Sequence, residues 1–565
     1  MPPAAPAAQR LQTLKSNVAR PSGLAVASIA CALILALPLL TVAAIAFSGT
    51  ESIWWHLLTT VLPGALANTL LLMLGAATVT LVTGTLAAWI VTMHHFPGRE
   101  IADRLLVLPL AMPVYIVAYA YVELLDYAGP VQSALRAAFG YASAADYAFP
   151  EIRSLPGAIL LFSLVLYPYV YLMARASFVQ QSVCVLEVAR TLGHTAAGTL
   201  WRVALPLARP AIAAGVALVL MECLNDLGAV QYLGVETLSA SIYATWLQRG
   251  NLAGAAQLAL VMLGLVAALM VIERQARGAG AVHATTGRYR AIPFETLTGW
   301  KAVVALIAVL TPAVLGFGVP FAVLLRQAVA HIGTADLAAF GTAAGNSLLL
   351  AGAASLVAVA LALLFCYANR LDGSTATRMA ARMAGFGYAL PGTVLAIGLL
   401  VPLAALDNSI DAWMQSLFGI KTGLLLSGTL FAVTIALVIR FLAVALGSVD
   451  AGLKRISPSL DAAARTLGAS SSTTLFRVHL PMLAPALGAA CLLVFVDAMK
   501  ELPATLLLRP FNFDTLATYV YGLTASEQFE EAALGAVTIV LIGLVPVLWL
   551  HTAIAGGRAG NGNAS

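Results

Sequence analysis

Apolar residues in this chain run in long blocks, not in the alternating or every-third-and-fourth patterns of half-buried strands and surface helices. A helix needs about 20 apolar residues to cross roughly 30 Å of hydrocarbon at a rise of about 1.5 Å per residue. Twelve blocks meet that length, starting near Leu24, Leu66, Leu105, Gly157, Pro210, Leu252, Ala302, Ser347, Met383, Gly423, Pro485 and Ala532. Acidic residues interrupt the far ends of the Pro210 and Pro485 blocks. The first block, Leu24 to Phe47, is 24 residues long. A signal-peptide core has about 7–15, so this block is expected to be an uncleaved first membrane helix. The pattern predicts an all-α polytopic membrane protein.

The blocks fall into two copies. Residues 187–206 read EVARTLGHTAAGTLWRVALP and residues 462–481 read AAARTLGASSSTTLFRVHLP, with 11 of 20 positions identical at a shift of 275. Asn68 matches Asn346, and Pro113 matches Pro391, at a shift of 278. The expected organisation is an N-terminal tail (1–23), a first repeat of six spans (24–275, with a loop at 187–206) and a linker (276–299). A second six-span repeat (300–555, with a loop at 461–481) and a C-terminal tail (556–565) follow. Six is even, so the two copies enter and leave the membrane in the same sense, as parallel repeats. The matched prolines are expected to kink their helices.

Composition narrows the class. The chain has 565 residues, 61% hydrophobic and 10% charged, with a mean hydropathy of +0.92. Soluble domains carry about 25% charge, so a soluble protein and an appended nucleotide-binding domain are both excluded. Charge placement gives orientation. With the N-terminus in the cytoplasm, 23 of the 30 Lys and Arg residues fall on the cytoplasmic side, including a loop taken as Arg440–Arg477. That bias predicts that both termini are cytoplasmic. Of the 25 acids, 17 fall on the outer side. The five cysteines show no metal-ligand spacing and read as small apolar residues of the helices. His94–His95 reads as a solvated loop pair.

The duplicated loops carry the first functional signal. Loops ordinarily diverge faster than the elements they join, so a best-matched loop points to a shared docking task. These segments resemble the EAA loop of ABC-importer permease subunits: Glu-Ala-Ala, a following Gly, and a downstream Leu-Pro. The first copy matches at Glu187, Ala189, Gly193, Leu205 and Pro206. The second matches at Ala463, Ala464, Gly468, Leu480 and Pro481, but Ala462 stands where the family has Glu, and Asp461 lies one position early. The resemblance implies the type I ABC-importer permease fold and a coupling helix in each loop that docks on an ATP-binding subunit.

A second likeness concerns cargo. Segments 222–243 (ECLNDLGAVQYLGVETLSASIY) and 497–521 (DAMKELPATLLLRPFNFDTLATYVY) look like the matching parts of fused ferric-iron ABC permeases, which work with periplasmic iron-binding proteins. Thiamine permeases share the fused layout and stay open as an alternative. Together the likenesses imply a bacterial inner-membrane location, two ATP-binding cassette subunits and a periplasmic binding protein as partners, contact with membrane lipid, and no nucleic acid. No Gly-x-x-x-x-Gly-Lys-Ser/Thr loop is present, so no cofactor is expected on this chain and ATP is used by the partners. The chain is not expected to be an enzyme.

The remaining polar candidates lie in the spans. Glu222 follows Pro206 by 16 residues, about 24 Å along a helix, with Asn225 and Asp226 beyond it. Asp497, Lys500 and Glu501 hold the same repeat positions. Spacing of i, i+4 places each acid pair on one helix face. Ionisable groups inside a bilayer are costly and usually face a path or a partner. Two readings stay open: a lining for the translocation path with no stable metal site, or structural locks. Tyr115, Tyr119, Tyr121, Tyr167, Tyr169 and Tyr171 read as interfacial aromatics. A rival class is a secondary transporter driven by an ion gradient through Glu222 and Asp497.

Overall fold

The computed structural model describes residues 23–48, 53–180, 195–277 and 295–556. Among the described residues, eleven helices are long and apolar enough to span a membrane, and a bent pair makes the twelfth. In the first repeat the main helices are α1 (Gly23–Ser48), α2 (Leu62–Met93), α3 (Arg99–Leu105), α4 (Val114–Leu125), α5 (Leu155–Gln180), α6 (Leu205–Asn225) and α7 (Leu252–Arg277). In the second they are α8 (Trp300–Ala313), α9 (Val319–His331), α10 (Leu337–Asp372), α11 (Thr375–Gly385), α12 (Gly392–Phe418), α13 (Leu430–Lys454), α14 (Pro458–Thr466), α15 (Leu480–Met499) and α16 (Phe529–Gly556).

Proline chemistry sets several breaks. Pro113 and Pro391 do not kink continuous helices, as the sequence suggested. Each stands immediately before a fresh helix, α4 or α12, after a 3-10 turn at Leu108–Ala111 or Phe386–Ala389. The residue before a proline avoids the helical region, and Met112 and Leu390 are extended, with ψ of 117° and 123°. The helix pair around Pro113 bends by 96°. Pro206, Pro320 and Pro481 behave differently. Each follows a π turn, at Leu200–Ala204, Val314–Gly318 or Leu475–His479, and the helical run continues through it. The extra residue in the turn accommodates a ring that can neither donate nor tolerate the usual carbonyl. In the 3.6-residue register the α13 span starts at Leu430 rather than Gly423, and Arg440 is buried inside it rather than lying in a loop.

The described residues form two compact units, and each draws on both repeats. One comprises those of Met1–Thr41, Leu348–Leu390 and Gly398–Ala498; the other comprises those of Val42–Ser347, Pro391–Ile397 and Met499–Ser565. In the first unit, α1 lies on α12: a Cβ at Gly398 would sit 2.4 Å from the Pro38 carbonyl oxygen. In the second, the π turn after α8 lies on α5: a Cβ at Gly316 would sit 2.2 Å from the Leu164 carbonyl oxygen. Only glycine allows backbones this close. The Tyr121 hydroxyl donates to the Leu315 carbonyl at 2.6 Å. That carbonyl is five residues before Pro320, which has no N–H to give it. The opening span of each repeat thus packs against helices of the other. The second unit also holds a two-residue parallel pairing of His94–His95 with Glu295–Thr296, so the end of the linker is pinned to the histidine loop.

Candidate functional site

The second duplicated loop, which the sequence resemblance makes a candidate for coupling to an ATP-binding subunit, is fully described, within one unit. Ser457 caps α14, whose C-terminus closes in a Schellman turn: Gly468 N–H donates to the Arg465 carbonyl (3.0 Å) and Ala469 N–H to the Ala464 carbonyl (2.9 Å). Gly468 has φ of +79°, the left-handed conformation that glycine adopts at no steric cost. Ser470 then caps the next helical run through Thr473 N–H at 3.2 Å. Of the expected docking residues, Ala463 and Gly468 are exposed, Ala464 is buried against the body, and Leu480 and Pro481 continue the helix after the π turn. Leu467, at 86% exposure, is the most prominent apolar side chain of the loop.

Asp461 points inward. One carboxylate oxygen accepts from Arg370 Nε (3.0 Å) and Nη2 (2.8 Å), and the other lies 2.8 Å from His479 Nε2. Arg370 also donates to the carbonyls of Leu453 (2.7 Å) and Ile456 (3.1 Å). The Tyr367 hydroxyl donates to the Ser471 carbonyl at 2.8 Å, and its ring meets His479 edge-on. Both Arg370 and His479 escaped the sequence reading, because neither is near the motif in sequence.

In the first copy Glu187, Ala189 and Gly193 lie outside the described residues; Leu205 and Pro206 follow their π turn as Leu480 and Pro481 do. A different lock holds this end of the first repeat. Asp103 of α3 accepts from Arg175 Nη2 of α5 at 2.6 Å and from the Tyr171 hydroxyl.

At the opposite end the path candidates resolve into structure. α6 ends at Asn225 and α15 at Met499, so Glu222/Asp226 and Asp497/Glu501 do not share a continuous helix face as the i, i+4 spacing implied. Asp226 accepts from the backbone N–H of Ala229 (2.9 Å) and Val230 (3.3 Å). Glu501, only 4% exposed, accepts from the N–H of Ala504 (2.9 Å) and Thr505 (3.0 Å) and from the Thr505 hydroxyl (2.7 Å). Both carboxylates are therefore helix caps. Glu222, Asp497 and Lys500 are half-buried, and Asn225 is buried, with no hydrogen-bond partner for its amide oxygen among the described residues.

The short segments behind these caps are bound in parallel fashion. Asn68 Nδ2 donates to the Glu236 carbonyl (3.1 Å) and Asn346 Nδ2 to the Asp514 carbonyl (2.9 Å). Thr69 accepts from Leu238 N–H (2.9 Å) and Ser347 from Leu516 N–H (2.7 Å). All four pairs are related by the 278-residue shift. The Tyr521 hydroxyl donates to Gln231 at 2.7 Å and also contacts Tyr243, its own repeat counterpart. The two repeats meet there.

The tyrosines are core residues, not an interfacial belt: Tyr119, Tyr167 and Tyr171 are fully buried. Tyr167 donates to the Leu106 carbonyl at 2.9 Å. The Tyr115 hydroxyl is buried with no hydrogen-bond partner among the described residues. Two of the acids that the charge pattern assigns to the outer side serve loops. Asp407 gathers the N–H groups of Leu425, Leu426 and Ser427 at 2.7–3.0 Å. Asp146 accepts from Ala142 and Ser143 N–H, and these bonds hold its carboxyl below the usual range. A cavity of about 380 Å³ lies beside that loop, lined by Asp126, Gln132, Tyr147 and Arg153 among others.

Two matched sets of broken spans, each preceded by a coupling-type loop, define a transporter's membrane subunit. The family described as binding-protein-dependent transport system inner membrane component matches residues 80–277 and again 354–558, and the chain belongs to it. It is a multi-pass inner-membrane permease subunit of an ABC importer with the type I permease fold, a family that works with ATP-hydrolysing and substrate-binding partners. Among its relatives is the Fe(3+)-transport system permease protein FbpB 2 of Haemophilus influenzae, 26% identical over 491 residues, covering 86% of this chain and 89% of the relative. A putative 2-aminoethylphosphonate transport system permease protein of Salmonella paratyphi A is 29% identical over 217 residues, 38% of this chain and 74% of the relative. A probable molybdenum ABC transporter permease protein of Haloferax volcanii is 30% identical over 191 residues, 33% of this chain and 65% of the relative.

Proposed function

We propose that this chain is the fused permease of a ferric-iron importer. The observation that carries the reading is the similarity to an Fe(3+)-transport permease across both repeats, where the phosphonate- and molybdenum-named relatives match about a third of the chain. The iron-permease-like segments at 222–243 and 497–521 support it. In this reading both termini and the linker are cytoplasmic, two ATP-binding subunits dock on the loops 187–206 and 461–481, and a periplasmic binding protein delivers iron to the opposite end. ATP binding draws the partner subunits together, and the loops pass that motion to the spans. Asp226 and Glu501 brace the outer segments. A tight iron site in the path would not release its cargo, so only weak, transient contacts are expected there.

Two experiments test this. Vesicles holding the complete transporter should take up ferric iron from a ferric-loaded binding protein, and only with ATP. Uptake of molybdate, 2-aminoethylphosphonate or thiamine without iron would overturn the cargo. For docking, Gly468→Trp should abolish co-purification of the ATP-binding subunit. Nothing lies within 4 Å of a Cβ there, so the bulk obstructs a partner rather than the fold. Gly468→Ala carries the same backbone strain without the bulk and should retain the partner.

A further inference from the structure

The second coupling helix differs from the first at three positions that are far apart in sequence. Where the second copy has Arg370, Asp461 and His479, the first has Thr92, Leu186 and Ala204. In the structure those three second-copy residues are one contact: Asp461 sits between Arg370 at 2.8 Å and His479 at 2.8 Å. Three independent differences between copies therefore amount to a single gain. The acid's position also differs in sequence. The first copy carries its acid as Glu187, whose counterpart is Ala462, and the second carries Asp461 one residue earlier. In the second copy that one residue, about 100° around α14, separates exposed Ala462 from the inward-facing Asp461. The Asp461 and Arg370 side chains are 17% and 15% exposed, and His479 1%. Arg370 ties the same cluster to the end of α13 through the Leu453 and Ile456 carbonyls.

We infer that the two coupling loops do different jobs. The Arg370–Asp461–His479 clamp bolts the second coupling helix to α10, α13 and the helical run into α15, so that it moves with its spans as one body and transmits the stroke. Its outer surface offers apolar contact through Leu467 and no acid at the family's position. The first copy has no such trio in its sequence and keeps an acid, Glu187, at the family's position. Asp461, Arg370 and His479 are positioning residues: they touch neither ATP nor cargo. This rests on the reading of 461–481 as a docking loop.

The test compares variants of the two copies in the complete transporter, reconstituted with its ATP-binding subunit and binding protein. Three quantities are read: subunit co-purification, ATP hydrolysis, and cargo moved per ATP. Asp461→Asn and Arg370→Lys should keep co-purification and hydrolysis, while cargo per ATP falls about twofold to thirtyfold, the span of mutations that alter coupling. The exchange Asp461→Arg with Arg370→Asp should recover part of that ratio. Glu187→Gln should instead weaken co-purification. An unchanged ratio in Asp461→Asn and Arg370→Lys overturns the clamp. So does loss of co-purification in those variants to the extent seen in Glu187→Gln. If either variant purifies poorly, melting of the detergent-solubilised chain separates a folding defect from uncoupling, and Arg370→Lys carries the decision. Failure of the docking reading shows separately, as Gly468→Trp that still binds its partner.

Discussion

At the end of the spans away from the coupling loops, the two repeats make the same bonds with the same kinds of residue; at the coupling end they do not. Asn68 and Asn346 hold equivalent carbonyls, Thr69 and Ser347 equivalent amides, and Asp226 and Glu501 cap equivalent short helices. At the coupling end the first repeat ties α3 to α5 through Asp103, Arg175 and Tyr171, and the second ties α14 to α10 through Asp461 and Arg370. Position 175 of the first copy is even reversed in charge in the second, where Asp450 pairs with Lys454. The difference teaches where symmetry is demanded. The capped segments of both copies meet each other at Tyr243, Gln231 and Tyr521, so a change in one must suit the other. Each coupling end answers to its own surroundings and is free to diverge.

The strongest way to break this comparison is at the clamp. Arg370→Ala strips a part-buried ion pair and frees two carbonyls, and should destabilise the chain by about 2–3 kcal/mol, read as a lower melting temperature in detergent. A loss no larger than that of a surface substitution would dissolve the distinction between the coupling ends. At the other end, Glu501→Ala removes a buried cap with three bonds and should cost about 2 kcal/mol. Asp226→Ala should follow in the same direction but more weakly, because Asp226 is less buried. Asn68→Ala and Asn346→Ala sharpen the symmetry claim: each loses one comparable bond, so each should cost about 1 kcal/mol, and a large inequality between them would show that the matching bonds are not equivalent. The smallest effect is expected at Thr92, the counterpart of Arg370. Its buried hydroxyl has no partner among the described residues, so Thr92→Val should shift stability by no more than about 0.5 kcal/mol, toward greater stability.

Much of the fold was legible in the sequence. Long apolar blocks can satisfy their backbone in a bilayer only as helices, and the 275-residue repeat gave the doubling without any coordinates. Gly468 was legible too, as the left-handed end of its helix, by chemistry that glycine alone supplies. The acids were less so. Spacing of i, i+4 assumed that the helix continues past Asn225 and Met499, and it stops there because each carboxylate finds backbone N–H groups of the next segment. The prolines were misread for a related reason: a ring removes one donor wherever it sits, but a 3-10 break at Pro113 and a π turn before Pro206 are different repairs, chosen by what packs alongside.

The sequence by itself determined the membrane class, the two repeats and the place of the duplicated loops, since hydropathy, internal matching and glycine stereochemistry are local properties. Only the tertiary structure decided which acid faces inward, that Arg370 and His479 join Asp461, and that the opening span of each repeat packs on the other. Those are contacts between residues tens to hundreds of positions apart, and their energy depends on burial and distance that no window of sequence contains.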